Sequence, residues 1–238
     1  MINAQKLNGT QEPLEAHMLR TLQDVPGVVQ LYESCMHNPD VYALVMEHIQ
    51  GIDLFDYIRD KHCLQEAEAR QIFKQVLPIV RECHQRHIVH PDIKDENIIL
   101  EGVSRRVRLI DFGASLFFNE SSRFRGFEGT LEYAPPEWIQ HREYGAEPST
   151  VWQLGTLLFA MLNGHPPFNH EQEILHKPVQ WLQPGSAGAR ELVSRCLNIE
   201  PATRPSLAQI ATDAWVTCVG LTSVAAPTES VGEECAGQ

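Results

Sequence analysis

The sequence predicts an α+β fold in two unequal parts, a small strand-bearing part and a mostly helical body. Three observations predict it. One amphipathic stretch near the N-terminus is followed by two runs rich in β-branched and aromatic residues. Helical patterns then dominate from about residue 52 to residue 218. Hydrophobic residues make up 43% of the 238, enough for a real core and too many for general disorder.

Taken in order, "LEAHMLRTLQD" (14–24) puts Leu14, Met18, Leu19 and Leu22 on one helical face, and Pro26 with Gly27 stops that helix. "GVVQLYESC" and "VYALVMEHI" read as two strands joined by the turn-like "MHNPD". "DLFDYIRDKH" is a short helix. "QEAEARQIFKQVLPIVRECHQRH" is a long one, with Ile72, Phe73, Val76, Leu77 and Val80 inward and Pro78 positioned to bend it. "IIL" and "VRLIDF" are short strands, and a loop runs from about 113 to 137. "STVWQLGTLLFAML" is apolar on nearly all sides, the pattern of a helix buried in a core. "AGARELVSRCLN" and "SLAQIATDAW" are further helices. Residues 219–238 are small, polar and acidic, and are expected to be a disordered tail. A two-stranded sheet is marginal in water and leaves open edges. The expectation is therefore that strands are missing before residue 1.

Charge and composition exclude several classes. The formal net charge of -12 argues against a nucleic-acid partner and suits basic ones. No apolar run is long enough to span a membrane, and the N-terminus has no apolar signal core. Cys35, Cys63, Cys83, Cys196, Cys218 and Cys235 show no metal-type spacing and read as thiols of a reducing compartment. A cytoplasmic or nuclear location is expected.

The chemistry concentrates in "HPDIKDENIIL" (90–100). Asp92 can accept a proton from a hydroxyl nucleophile. Lys94 can neutralise charge on a transferring phosphoryl group, and Asn97 offers an amide oxygen to a hard cation. Asp111 of "IDFG" adds a carboxylate at a strand end. A base, a cation, an amide oxygen and a carboxylate in this order are the parts that phosphoryl transfer requires.

These motifs resemble those of the eukaryotic protein kinases over roughly residues 7 to 218. "HPDIKDEN" resembles the catalytic loop, "DFG" the magnesium motif, "GTLEYAPPEW" the end of the activation segment and "VWQLG" the start of the buried large-lobe helix. Lys94 and the Gly129–Thr130 pair resemble serine/threonine kinases. "LNGTQEPLE", "DLFDYI", "DIKDENI" and "PPEW" resemble the Pim group more closely.

The resemblance implies residues 1–46 as a small-lobe remnant, 47–51 as hinge and 52–218 as the large lobe. It implies Asp92 as catalytic base, Lys94 on the γ-phosphate, and Asn97 and Asp111 on magnesium. Glu47 and Ile49 would meet the adenine, Asp53 the ribose, and Ile99 the underside of the ring. Met46 would guard the back of the pocket; Ile49, which has an N–H where Pim kinases carry proline, would either donate to adenine or merely pack. Asp53, Asp56, Asp95, Glu96 and Thr130 would meet protein substrates with arginine-rich sites, and Arg204 would pair with Glu137. The cofactors implied are ATP and Mg2+, and the protein is expected to act as a monomer.

Three departures matter. Pro91 replaces an arginine that in most kinases pairs with an activation-loop phosphate. Thr150 stands where most kinases have an aspartate that anchors the catalytic loop, but the Pim pattern lacks it too, so this alone does not argue inactivity. No glycine-rich loop or Val-Ala-x-Lys strand precedes Glu15, so Glu15 is expected to lack its lysine. Each such loss costs ~100-fold or more in rate. Two functional expectations follow: a Pim-like serine/threonine kinase carried on an incomplete chain, or a pseudokinase that binds basic partners without turnover.

Overall fold

A computed structural model of the protein describes residues 4–7, 10–38 and 41–218. The strands are β1 (Ala4–Leu7), β2 (Thr10–Pro13), β3 (Leu31–Asn38), β4 (Val41–Met46), β5 (Gly51–Asp53), β6 (Ile88–Val89), β7 (Ile98–Glu101), β8 (Arg106–Leu109) and β9 (Leu116–Phe117). The helices are α1 (Leu14–Thr21), α2 (Leu54–Lys61), α3 (Glu66–Gln85), α4 (Pro136–His141), α5 (Ala146–Asn163), α6 (Glu171–His176), α7 (Ala187–Cys196), α8 (Leu207–Ala211) and α9 (Ala214–Thr217). The α+β expectation holds, and the sheets are small: β1–β2, β3–β4, β5–β7–β8 and β6–β9, all antiparallel.

The apolar faces read from the sequence are those that pack. Met18, Leu19 and Leu22 are buried, as are Ile72, Phe73, Val76, Leu77 and Val80 of α3. Helix α3 runs unbroken through Pro78, which sits on its exposed side, as does Lys74 one turn earlier. Helix α5 passes through the centre of the body with Val151, Trp152, Leu154, Leu157, Leu158 and Phe159 fully covered. It ends at Gly164, whose φ is +87° and where a Cβ would lie 1.9 Å from the carbonyl oxygen of His62.

The small part is joined to the body more firmly than a loose remnant would be. Met18, Leu19, Leu22, Val25, Val28 and Val29 belong to the same core cluster as α3 and α5. Val29 N–H donates to Leu109 at 3.0 Å, and Leu109 N–H donates to Gly27 at 2.7 Å. Arg86 of α3 donates to the Thr21 carbonyl at 2.7 Å and to Asp24 at 2.9 Å. The β3–β4 hairpin is different: Tyr32, Met36, Val41, Val45 and Met46 are exposed.

Several elements carry no clear sequence signal. The hairpin β1–β2 lies in a polar stretch, β6 and β9 are two residues each, and α4 and α6 are one and a half turns. The predicted helix at 206–215 is two helices, because Asp213 caps a new start by accepting the Trp215 N–H at 2.8 Å. No helix among the described residues is long and apolar enough to cross a membrane. The expected tail at 219–238 lies outside the described residues.

Candidate active site

Strand β6 delivers the chain into a loop whose polar groups all have partners. Asp92 accepts the Thr130 N–H at 2.8 Å through one carboxylate oxygen and the Asn97 amide at 3.1 Å through the other. Asn97 also donates to the Asp92 carbonyl at 2.8 Å. Lys94 lies 3.3 Å from Asp92 and 2.8 Å from Glu96, and donates to the Thr130 hydroxyl at 2.7 Å. Burial opposes the Lys94 charge, but Glu96 and Asp92 outweigh it and hold its pKa above the usual lysine value. Asp92, Lys94, Asn97 and Thr130 are therefore brought together as one hydrogen-bonded cluster.

Asp111 is coupled to that cluster through the backbone. The Asn97 carbonyl accepts the Ile110 N–H at 3.0 Å. Asp111 itself takes a left-handed conformation, φ +60°, which Asp tolerates better than most residues. Its neighbour Phe112 is buried and meets the His90 ring edge-on at 4.9 Å. His90 ties the two motifs together: Nδ1 accepts the Asp92 N–H at 3.2 Å, so Nε2 carries the proton that goes to the Ile110 carbonyl at 3.1 Å. Burial pushes the His90 pKa down, which keeps this neutral tautomer.

The hinge presents the groups expected of it. Glu47 donates its N–H to Gln30 at 2.9 Å, and its carboxylate is taken by Arg108 and by the Gln30 N–H. Among the described residues, no backbone hydrogen bond engages the Glu47 carbonyl or the Ile49 N–H. Ile49 also packs against the core. Asp53 and Ile99 are register partners across β5 and β7. Met46, the last residue of β4, is 40% exposed.

Two comparisons decide the family. The family described as "Protein kinase domain" matches residues 2–216. "Serine/threonine-protein kinase prk-2" of Caenorhabditis elegans is 38% identical over 216 residues, covering 89% of this chain and 48% of that protein. This chain belongs to the protein kinase family. Further relatives are also protein kinases by name. "Serine/threonine-protein kinase pim-2" of Danio rerio is 41% identical over 191 residues, 80% of this chain and 61% of that protein. "Carbon catabolite-derepressing protein kinase" of Secale cereale is 34% identical over 209 residues, 84% of this chain and 41% of that protein. The chain thus spans about half the length of the curated relatives it matches.

In this chain the activation segment is held without a phosphate-binding arginine at position 91. Strands β6 and β9 pair Ile88 with Phe117 and Val89 with Leu116. Farther along, Phe124 and Tyr144 exchange backbone hydrogen bonds of 2.9 and 3.0 Å. Phe127 packs on Trp138 and Tyr144 with centroids 5.0 and 5.9 Å apart. Ser121 and Ser122 both donate to Asn119, while Arg125 pairs with Glu143 at 3.4 Å. Glu137 and Arg204 form the implied buried pair, with hydrogen bonds of 3.0 and 2.7 Å.

The acidic residues expected to meet substrates differ in their surroundings. Asp53 caps α2 by accepting the Asp56 N–H at 2.7 Å, and Asp56 pairs with Arg59 at 2.5 Å. Glu96 is exposed beside Lys94. Asp95 corrects the expectation of an open rim, because it is 7% exposed and accepts the Tyr133 hydroxyl at 3.2 Å. Its burial raises its pKa.

Glu15 lies where the family pattern puts it, half-buried. Burial and then the nearby Asp111 raise its pKa, and no ion pair neutralises either carboxylate among the described residues. Two site residues escaped the sequence reading. His90 was visible but had no assigned role. Gln153 was hidden in "VWQLG", although a lone amide in a helix apolar on all sides must find a partner.

Proposed function

We propose that this chain carries the catalytic groups of a serine/threonine kinase that moves the γ-phosphoryl group of ATP to Ser or Thr of arginine-rich protein substrates. The observation that carries the reading is the cluster in which Asp92 is fixed by Thr130 and Asn97 while Lys94 stands 3.3 Å away. Asp92 has a carboxylate oriented to take the proton of an incoming hydroxyl. Lys94 supplies a positive charge for the phosphoryl oxygens, where preorganised charge is most effective. The hinge carbonyl of Glu47 and N–H of Ile49 would hold the adenine.

The residues present fit magnesium. The Asn97 amide nitrogen is spent on Asp92, which leaves its oxygen for a cation, and Asp111 adds a carboxylate. One amide and one carboxylate, completed by phosphate and water oxygens, are a usual magnesium donor set. Bound there, the ion would neutralise phosphate charge. Basic substrates are supported by the net charge of -12 and by Asp53, Asp56 and Glu96, and a cytoplasmic or nuclear location and monomeric action go with the same reading.

A second reading has its own support. The exposed β3–β4 face and the uncompensated Glu15–Asp111 pair favour a module that binds basic partners without turnover. The test is a fusion that supplies a glycine-rich loop and an ATP-binding lysine from a relative, assayed on an arginine-rich serine peptide. Turnover is expected despite Pro91, and Asp92→Asn should lower it by ~10²–10⁴. A fusion that binds ATP and peptide yet is indifferent to Asp92→Asn removes the catalytic assignment. Activity that appears only with Pro91→Arg decides for the binding module.

A further inference from the structure

We propose that Gln153 is the positioning residue of the catalytic loop, its side-chain amide clamping the two peptide groups that flank Asp92. The Gln153 nitrogen donates to the Pro91 carbonyl, and its oxygen accepts the Ile93 N–H at 3.4 Å. These are the peptide groups immediately before and after Asp92. Holding both limits rotation about the Asp92 backbone, and so aims the carboxylate that receives Thr130 and Asn97. The inference rests on the kinase reading only for its effect on turnover; the clamp itself is geometry.

The amide is chemically required. Pro91 has no N–H, so the group it offers to α5 is a carbonyl, which needs a donor. Ile93 offers an N–H, which needs an acceptor. The Gln153 amide meets both, and only in one orientation, since the flipped form would set oxygen against oxygen and N–H against N–H. The site is dry: Gln153 is 1% exposed and Pro91 is buried. An unmet partner here carries its full desolvation cost. The Pro91 carbonyl is also closed in by Gly129, where a Cβ would lie 2.6 Å away. Thr150, one turn earlier on α5, does not share the task, because its hydroxyl is engaged with His84 at 3.0 Å.

Two variants test it in the full chain. Gln153→Met keeps an unbranched side chain of similar size and removes both hydrogen bonds. Gln153→Leu removes both again with a differently shaped side chain, which separates the lost hydrogen bonds from the fit of any one replacement. The reporter is hydrogen exchange at the Thr130 amide, which bonds Asp92 and is not touched by Gln153. Exchange there should speed up about ten-fold in both variants, while Leu157 and Leu158 in α5 keep wild-type rates. In the active fusion, kcat should fall ~10–100-fold with the peptide KM within about two-fold, the mark of lost alignment rather than lost binding. Thr130 exchange within two-fold of wild type in both variants overturns the proposal. So does an equal rise at Thr130 and in α5, which would make Gln153 a packing residue. If Thr130 loosens while no form of the fusion turns over, the clamp stands and the kinase reading fails.

Discussion

Glu15 and Asp111 face one another at the scale of single residues with no cation paired to either among the described residues. Burial and that neighbour raise the Glu15 pKa, so the folded state holds the proton more tightly than the unfolded chain does. The associated stability is complete below the unfolded value of 4.5 and is lost as pH rises through the higher folded value. Glu15→Gln is therefore expected to raise the melting temperature at pH 7 by about 1 °C, kept small by solvent screening, with no gain at pH 4. Arg204 is the opposite case. It is buried, donates to Glu137 at 2.7 and 3.0 Å and stacks 5.0 Å above Trp152. Arg204→Met should cost about 3–5 kcal/mol in urea unfolding, because Glu137 would be left buried and unpaired. The double change to two apolar residues should recover most of that loss.

At the scale of elements, the packing of α3 against α5 contains a half-buried histidine. His84 of α3 bonds Thr150 of α5, lies against the Phe118 ring at 5.1 Å, and is pushed by burial down to about 4 from 6.5. The unfolded chain takes up this proton first as pH falls, so the stability is present above pH 6.5 and is lost between 6.5 and 4. The full effect is about 3 kcal/mol. Denaturant titrations from pH 7 to 4 should show that fall, and His84→Leu should flatten it. His90, also lowered by burial, acts in the same direction, so some slope will remain. An unchanged slope in the leucine variant would mean that His84 is charged in the folded protein.

Over the whole molecule, one core runs from α1 through α3 and α5 to α9, while the β3–β4 hairpin stands outside it. Hydrogen exchange should accordingly protect α1 together with the body and leave β3–β4 fastest among the described strands. Uniform protection of the hairpin and α1 would contradict this division. On the proposed reading, the exposure of Val45 and Met46, 47% and 40%, predicts weak nucleotide binding. A thermal shift below about 1 °C at 1 mM Mg-ATP is expected for the chain as it stands, the response of a site with a Kd near 1 mM or weaker.

Local pattern alone determined α1, α3, α5 and the short strands around Asp111, because their apolar spacing is set by helix and strand geometry and survives without knowledge of neighbours. The chemical groups Asp92, Lys94, Asn97 and Asp111 were equally legible, since residue type and order carry them. Hairpin β1–β2, strands β6 and β9, and helices α4 and α6 were not, as each is too short to show a period and is stabilised by pairing with distant chain. Only the tertiary structure decided that Asp95 turns inward to Tyr133, that the end of α1 is bound to Arg86 and the segment after it to Leu109, and that Gln153 reaches back some 60 residues to hold the loop at Pro91 and Ile93. Those are hydrogen bonds between segments far apart in sequence, and their partners exist only once burial has excluded the water that would otherwise satisfy them.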